Sequence, residues 1–260
     1  MIGLYDSGLG GLTVLSALRG AGVDADIVSF ADQAHLPYGD RSDAELQGFL
    51  AENFALLKTY DIDAIVMACN TSCAVASRHG GFPATEFPVL DLIENTGKGL
   101  KDMPFSHIAV FATAATVRSG AYKREIHKNL PGAQVIEIAA PALVPIVEAG
   151  AAGTPLALQE VRVLCSALPR GVDAVVYGCT HYPLLDAEFR AALDPNIVVI
   201  DPARAQAQAT VALLRERRVA PGTSRTHYLT NGDLAAYERS VRAWTGESAG
   251  TFSHVGALAR

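Results

Sequence analysis

The sequence predicts an α/β protein of two similar α/β domains with mostly parallel sheets, its functional site in the interdomain cleft. Three observations lead there. Short apolar runs rich in β-formers alternate with longer helical stretches, the pattern of βαβ units. The stretch 61–71 recurs as 171–181, an offset of 110, and each copy carries a cysteine after its apolar run, Cys69 and Cys179. The chain start recurs as well: Ile2-Gly3-Leu4-Tyr5-Asp6-Ser7 aligns with Ile108-Ala109-Val110-Phe111-Ala112-Thr113, an offset of 106.

The elements follow in order. Strands are predicted at 2–5, 26–30, 62–68 and 88–92 in the first unit, and at 107–111, 134–138, 172–177 and 197–200 in the second. Helices are predicted near 11–20, 42–60, 71–79, 117–129, 141–149, 155–168 and 183–193. The second and fourth strands extend the repeat, with Ile27 matching Val135 and Val89 matching Val198. Residues after 203 belong to neither copy. They read as a helix over 203–217, an edge strand at 225–229, a turn at Thr230-Asn231-Gly232-Asp233 and a helix over 233–245. This tail is expected to return to the first unit. The domains are then 1–94 plus 204–260, discontinuous in sequence, and 95–203.

Composition narrows the function. At 260 residues the chain suits one large or two modest domains, and 50% hydrophobic with 18% charged residues is globular. A net charge of -6 argues against nucleic-acid or anionic-membrane partners, which need a basic face. No secretory signal opens the sequence and no apolar run is long enough to span a bilayer, so a cytoplasmic location is expected. The four cysteines, Cys69, Cys73, Cys165 and Cys179, should then be reduced thiols.

Parallel sheets bind ligands at the carboxyl ends of their strands. Cys69 and Cys179 sit there, as do Asp6, Ser7 and Thr113. Each cysteine also precedes a predicted helix start, a place that lowers a thiol pKa. Two thiols facing each other across a cleft can act as base and acid on opposite faces of one carbon. Inverting a stereocentre needs that near-symmetry, and the repeat supplies it. A single cysteine after a strand is usually a small buried residue; two at equivalent positions, each followed by polar residues, argue otherwise.

Asn70-Thr71 and Thr180-His181 follow the cysteines, and their amide, hydroxyl and backbone N–H groups suit a carboxylate. Thr and Asn are equally ordinary helix caps. His181 stands two residues from Cys179 and can tune that thiol. The turn Asp6-Ser7-Gly8-Leu9-Gly10-Gly11 looks like a phosphate cradle but lacks the G-x-G-x-x-G spacing and a Walker lysine. Asp6 would repel phosphate and better suits an ammonium or assistance to Cys69. Zinc-type ligands occur in Cys69-x3-Cys73 and Cys179-x-His181, but Cys73 falls within a predicted helix and its counterpart is Pro183, so no metal is expected. Cys165 fits a helical core position.

With these residues assembled, the chain resembles the glutamate racemase branch of the aspartate/glutamate racemase family. The resemblance rests on Asp6 to Gly11, Pro37-Tyr38-Gly39-Asp40-Arg41, Ala68-Cys69-Asn70-Thr71 and Gly178-Cys179-Thr180-His181-Tyr182-Pro183-Leu184-Leu185. It implies that Cys69 and Cys179 are the acid/base pair and that neither pyridoxal phosphate nor metal is needed. It implies that Asp6 and His181 assist the thiols and that Glu148 lies near the second cysteine. Ser7, Asn70, Thr71, Thr113, Thr116 and Thr180 match substrate-holding positions, and Pro37, Tyr38 and Gly39 match a loop lining the pocket. The implied reaction interconverts L- and D-glutamate, with D-glutamate supplied to peptidoglycan. Dimers are common in the family, so a homodimer is one assembly it implies.

The chain departs from the family at Ala112-Thr113-Ala114-Ala115-Thr116, where a Gly-Thr-x-Gly-Thr pattern is usual, and at Cys73, commonly a small non-thiol residue. Two rival readings stay open at this stage. One is a racemase of aspartate or another amino acid on the same fold; the other is a non-catalytic amino-acid-binding regulator.

Overall fold

Residues 1–246 and 249–256 are described by the structure, a computed structural model. Strands β1 (Ile2–Asp6), β2 (Ile27–Ala31), β3 (Ala64–Met67) and β4 (Val89–Leu90) come first. Next are β5 (His107–Ala112), β6 (Gln134–Ala139), β7 (Ala174–Gly178) and β8 (Val198–Ile200), and β9 (Thr226–Thr230) and β10 (Thr251–His254) close the chain. They form two sheets, ordered β10-β9-β2-β1-β3-β4 and β6-β5-β7-β8. Every paired strand runs parallel. β1 and β7 are buried along their whole length, as strands covered by helices on both faces must be.

The internal repeat is visible in the registers. Ile2 pairs with Ile27 and Ala64, while Ile108 pairs with Val135 and Ala174. The fourth strand corrects the sequence alignment by one residue. Val89 lies opposite Ile65, and Val199, rather than Val198, lies opposite the equivalent Val175. β4 has two residues and β8 three, too few for a hydrophobic alternation to fix a register.

The helices are α1 (Gly11–Gly20), α2 (Asp43–Leu57), α3 (Asn70–Arg78), α4 (Leu92–Gly99), α5 (Ala114–Ser119), α6 (Ala121–Asn129), α7 (Leu143–Glu148), α8 (Pro155–Ser166), α9 (Asp186–Ala192), α10 (Pro202–Glu216) and α11 (Leu234–Thr245). Ser42 and Glu45 form a reciprocal capping box that starts α2. The expected helix over 117–129 is two helices, because Gly120 takes a left-handed conformation (φ 63°) between them. The expected strand 88–92 gives way to α4, since the Asp91 carboxylate accepts from the Ile93 and Glu94 N–H groups and caps a helix there. The helix expected over 183–193 opens as a 3-10 turn at Tyr182–Leu185 before α9. β10 was not foreseen; Thr-Phe-Ser-His shows no apolar run.

The tail returns to the first sheet, where Ile27 pairs with Thr226. α10 is tied to the strand ends that carry the site. Gln206 Nε2 donates to the Met67 and Leu90 carbonyls, both at 2.8 Å, and Asn95 Nδ2 donates to Gln206 Oε1 at 2.7 Å. Those bonds satisfy a wholly buried amide. One apolar cluster takes residues from both sheets, including Tyr5, Ile65 and Met67 of the first and Ile108, Val110 and Val176 of the second. The two sheets therefore share a core beneath the facing strand ends.

Candidate active site

The carboxyl ends of β1, β3, β5 and β7 deliver their following residues to one cleft. Ser7, Cys69, Asn70, Thr71, Thr113, Cys179, Thr180 and His181 all line it, with Pro37, Tyr38 and Gly39 from the loop after β2. Its atom-free space is about 530 Å³ including the mouth, within the range of small-ligand pockets. Asp6, Thr116 and Glu148 lie behind the lining. Thr116 is wholly buried, and its hydroxyl lies 3.0 Å from Thr113 Oγ1 and 3.4 Å from Thr71 Oγ1. Thr71 and Thr113 share a bond of 2.9 Å, so Thr116 sets the aim of two hydroxyls that reach the cleft.

Cys69 caps α3, but the lowered pKa expected from that helix start does not follow. Burial pushes the Cys69 thiol up to about 12, and the Asp6 carboxylate adds to the rise; bonds to Ser72 and Ser7 oppose it without prevailing. Desolvation outweighs the helix dipole because Cys69 is only 3% exposed. Cys69 Sγ donates to Ser7 Oγ at 3.5 Å. Before any ligand charge arrives, Cys69 is thus a protonated acid. Cys179 is followed by the 3-10 turn instead of an α-helix. Its charged partner is a side chain: Cys179 Sγ lies 3.7 Å from His181 Nδ1, and His181 Nε2 lies 2.6 Å from Glu148 Oε1.

That chain sets the charge of the imidazole. Burial alone would depress His181, but its bonds to Cys179 and Glu148 outweigh burial and hold its pKa well above the usual value. Burial would likewise raise Glu148, yet His181, the Leu9 N–H and Gln33 bring its carboxyl below the ordinary range. An imidazolium beside a sulfur stabilises negative charge there. The two thiols are equivalent in topology and unlike in surroundings, one beside hydroxyls and a carboxylate, the other beside a cation.

Asp6 does not reach toward a ligand. Its Oδ1 accepts from the Gly8 N–H at 2.8 Å and its Oδ2 from Thr180 Oγ1 at 3.0 Å. Burial raises its pKa to about 6 in spite of nearby His181. The glycine turn clamps the two halves together. A Cβ on Gly10 would stand 2.2 Å from Thr180 Oγ1 and 2.7 Å from His181 Nδ1, and one on Gly8 would stand 2.3 Å from Glu148 Oε1. Between them the Leu9 N–H donates to Glu148 Oε1 at 2.8 Å. Glycines let first-half backbone lie this close to Thr180, His181 and Glu148 of the second half.

Sequence reasoning missed the residues that hold the lining in place. Asp32, fully buried, lies 2.7 Å from His35 Nδ1 and accepts from Tyr38 OH, from Asn53 Nδ2 at 2.9 Å and from Asn231 Nδ2 at 2.5 Å. It anchors the loop bearing Pro37, Tyr38 and Gly39. One signal was present: Asp32 follows β2 as closely as Asp6 ends β1. Cys73 is fully buried beside Asp91 and does not line the cleft, and Cys165 is half-buried at the edge of the second-sheet core. Among the described residues, no group of three or more His, Cys, Asp or Glu side chains is placed to hold a metal ion.

Comparison with known proteins bears on this site. A family model described as Asp/Glu/Hydantoin racemase matches residues 14–210. A glutamate racemase of Picosynechococcus sp. is 36% identical over 250 residues, covering 94% of this chain and 88% of its own. A glutamate racemase isoform from Bacillus anthracis superposes with a TM-score of 0.89 at 27% identity, covering 100% of this chain and 98% of that one. The Francisella tularensis glutamate racemase, solved in complex with D-glutamate, also gives 0.89 at 27% identity, covering 99% and 97%.

Proposed function

The chain belongs to the Asp/Glu/Hydantoin racemase family, and on that premise we propose that it interconverts L- and D-glutamate by proton transfer between Cys69 and Cys179. The observation that carries the reading is the placement of these cysteines. They occupy matching strand ends of a duplicated chain and line one cleft. Glutamate lies between the sulfurs. A thiolate on one side takes the α-proton, leaving the electron pair on the α-carbon, and the thiol on the other side donates a proton to the opposite face. The C–H bond broken and the C–H bond formed lie on opposite faces, so configuration inverts and each sulfur exchanges roles. The reverse reaction begins from that exchanged state.

The surroundings divide the labour. His181, held by Glu148, stabilises negative charge on Cys179, while burial, reinforced by the Asp6 carboxylate, keeps Cys69 protonated in the free enzyme. Asn70, Thr71 and Thr113 offer donors to the substrate carboxylates, Thr180 lines the cleft with its hydroxyl proton given to Asp6, Ser7 lies against Cys69, and Pro37, Tyr38 and Gly39 wall the cleft. Asp6 keeps Thr180 in place, and Thr116 does the same for Thr71 and Thr113. The chemistry proposed uses only these side chains. The D-glutamate formed feeds peptidoglycan synthesis in the cytoplasm. Among the described residues no helix is long and apolar enough to cross a membrane. Two domains, 1–94 with 204–260 and 95–203, close on the substrate, and two chains pair as a homodimer; residues 247–248 and 257–260 of the first domain lie outside the described residues.

Specificity is tested by measuring D-isomer formation across a panel of L-amino acids. Glutamate is expected to exceed aspartate in kcat/KM by about 10²-fold or more, because a shorter side chain leaves buried polar groups unpaired. Equal turnover of aspartate would refute the glutamate assignment while leaving the two-thiol chemistry intact.

A further inference from the structure

We infer that Tyr122 is a positioning residue for substrate binding: its hydroxyl fixes the Asn70 amide with the oxygen turned into the protein and the nitrogen left for a substrate carboxylate. The inference rests on the proposed reading of Asn70 as a substrate-binding residue. Tyr122 belongs to α6 and does not line the cleft; Asn70 opens α3 and does. Tyr122 OH donates to Asn70 Oδ1 at 2.5 Å, and both residues are buried.

A primary amide has nearly the same shape when its oxygen and nitrogen are exchanged, and its terminal torsion is broad and roughly two-fold. Packing therefore selects neither orientation; the hydrogen-bond partner does. Burial holds the Tyr122 phenol well above its ordinary pKa, so it stays a donor across the working range of pH. With its proton given to Asn70, the phenol faces the amide oxygen, and exchanging the amide's ends would cost that donation. The nitrogen is then left buried with no partner in the protein. An orphaned N–H donor at a lining residue, beside Cys69 and at the start of α3, matches an acceptor brought by the ligand. The opposite orientation would present an oxygen to the carboxylate and repel it. Because Tyr122 and Asn70 come from different halves of the duplicated chain, the orientation also requires α6 to be packed against α3.

The test uses the full-length enzyme and L-glutamate, with KM, kcat and melting temperature measured for Tyr122→Phe, Asn70→Ala, their combination and Asn70→Asp. Tyr122→Phe is expected to raise KM about five- to tenfold, the worth of one hydrogen bond, with a smaller change in kcat. In the Asn70→Ala background the same substitution should leave KM where Asn70→Ala alone puts it. Asn70→Asp keeps an oxygen for Tyr122 but replaces the free donor with an acceptor. It should raise KM more than Tyr122→Phe, and this arm does not depend on Tyr122→Phe folding. An unchanged KM in folded Tyr122→Phe, or an equal multiplicative rise in the Asn70→Ala background, would overturn the role of Tyr122 alone. An unchanged KM in Asn70→Ala or Asn70→Asp would overturn it together with its premise about Asn70.

Discussion

Replacing either Cys69 or Cys179 with alanine is expected to lower kcat for glutamate racemisation by about 10³-fold or more, the upper range for loss of a positioned acid or base. The loss should be equal in both directions, since each sulfur serves as acid one way and base the other. Alanine removes one atom, the reacting sulfur, so the packing lost is small even though both residues are almost fully buried. The melting temperature should therefore move far less than the rate. Polarimetry starting from each enantiomer measures the effect. Wild-type activity in either variant would show that one sulfur suffices, and the cleft would need another chemistry.

Asp6→Asn is expected to stabilise the fold at pH 8 while reducing activity. The folded pKa of Asp6 is raised from 3.8 to about 6, chiefly by burial. Between those values the native state holds more protons than the unfolded state, so stability falls as pH rises through the window. Above it, the ionised carboxylate costs about 3 kcal/mol relative to its protonated form, at 1.36 kcal/mol for each unit. Asparagine removes that charge. For a chain of this size the melting temperature should rise by ~5 °C at pH 8, and the gap should narrow as pH falls through 6 toward 4. Activity should decline because Thr180 loses its charged acceptor and Cys69 its neighbouring carboxylate. A lower melting temperature at pH 8 would show that the bonds from Gly8 and Thr180 repay more than burial costs.

Much of this was legible in the sequence because it is periodic. The repeated stretch carrying Cys69 and Cys179 reappears as strands in equivalent registers, and the residues expected after those strands line one cleft. Local capping chemistry was less legible. Asp91 turned an expected strand end into α4, and Gly120 split an expected helix, each through a single residue's backbone or side-chain geometry. Least legible were charge and long-range contact. Cys69 was expected to be activated by a helix start and is instead held protonated by burial, which depends on what the fold stacks above it. Asp32, Asn53 and Asn231 meet around one carboxylate, although nearly two hundred positions separate the first from the last. Tyr122 finds Asn70 across 52 positions. No local pattern encodes such meetings; the parallel crossovers create them.

The most direct test is isotope placement during early turnover in D2O. With L-glutamate as substrate, the D-glutamate formed should carry deuterium at the α-carbon while unreacted L-glutamate keeps its proton, and starting from D-glutamate should give the mirror result. Deuterium entering both enantiomers at equal rates from the outset would mean one base serving both faces, in contradiction to a sulfur on each side.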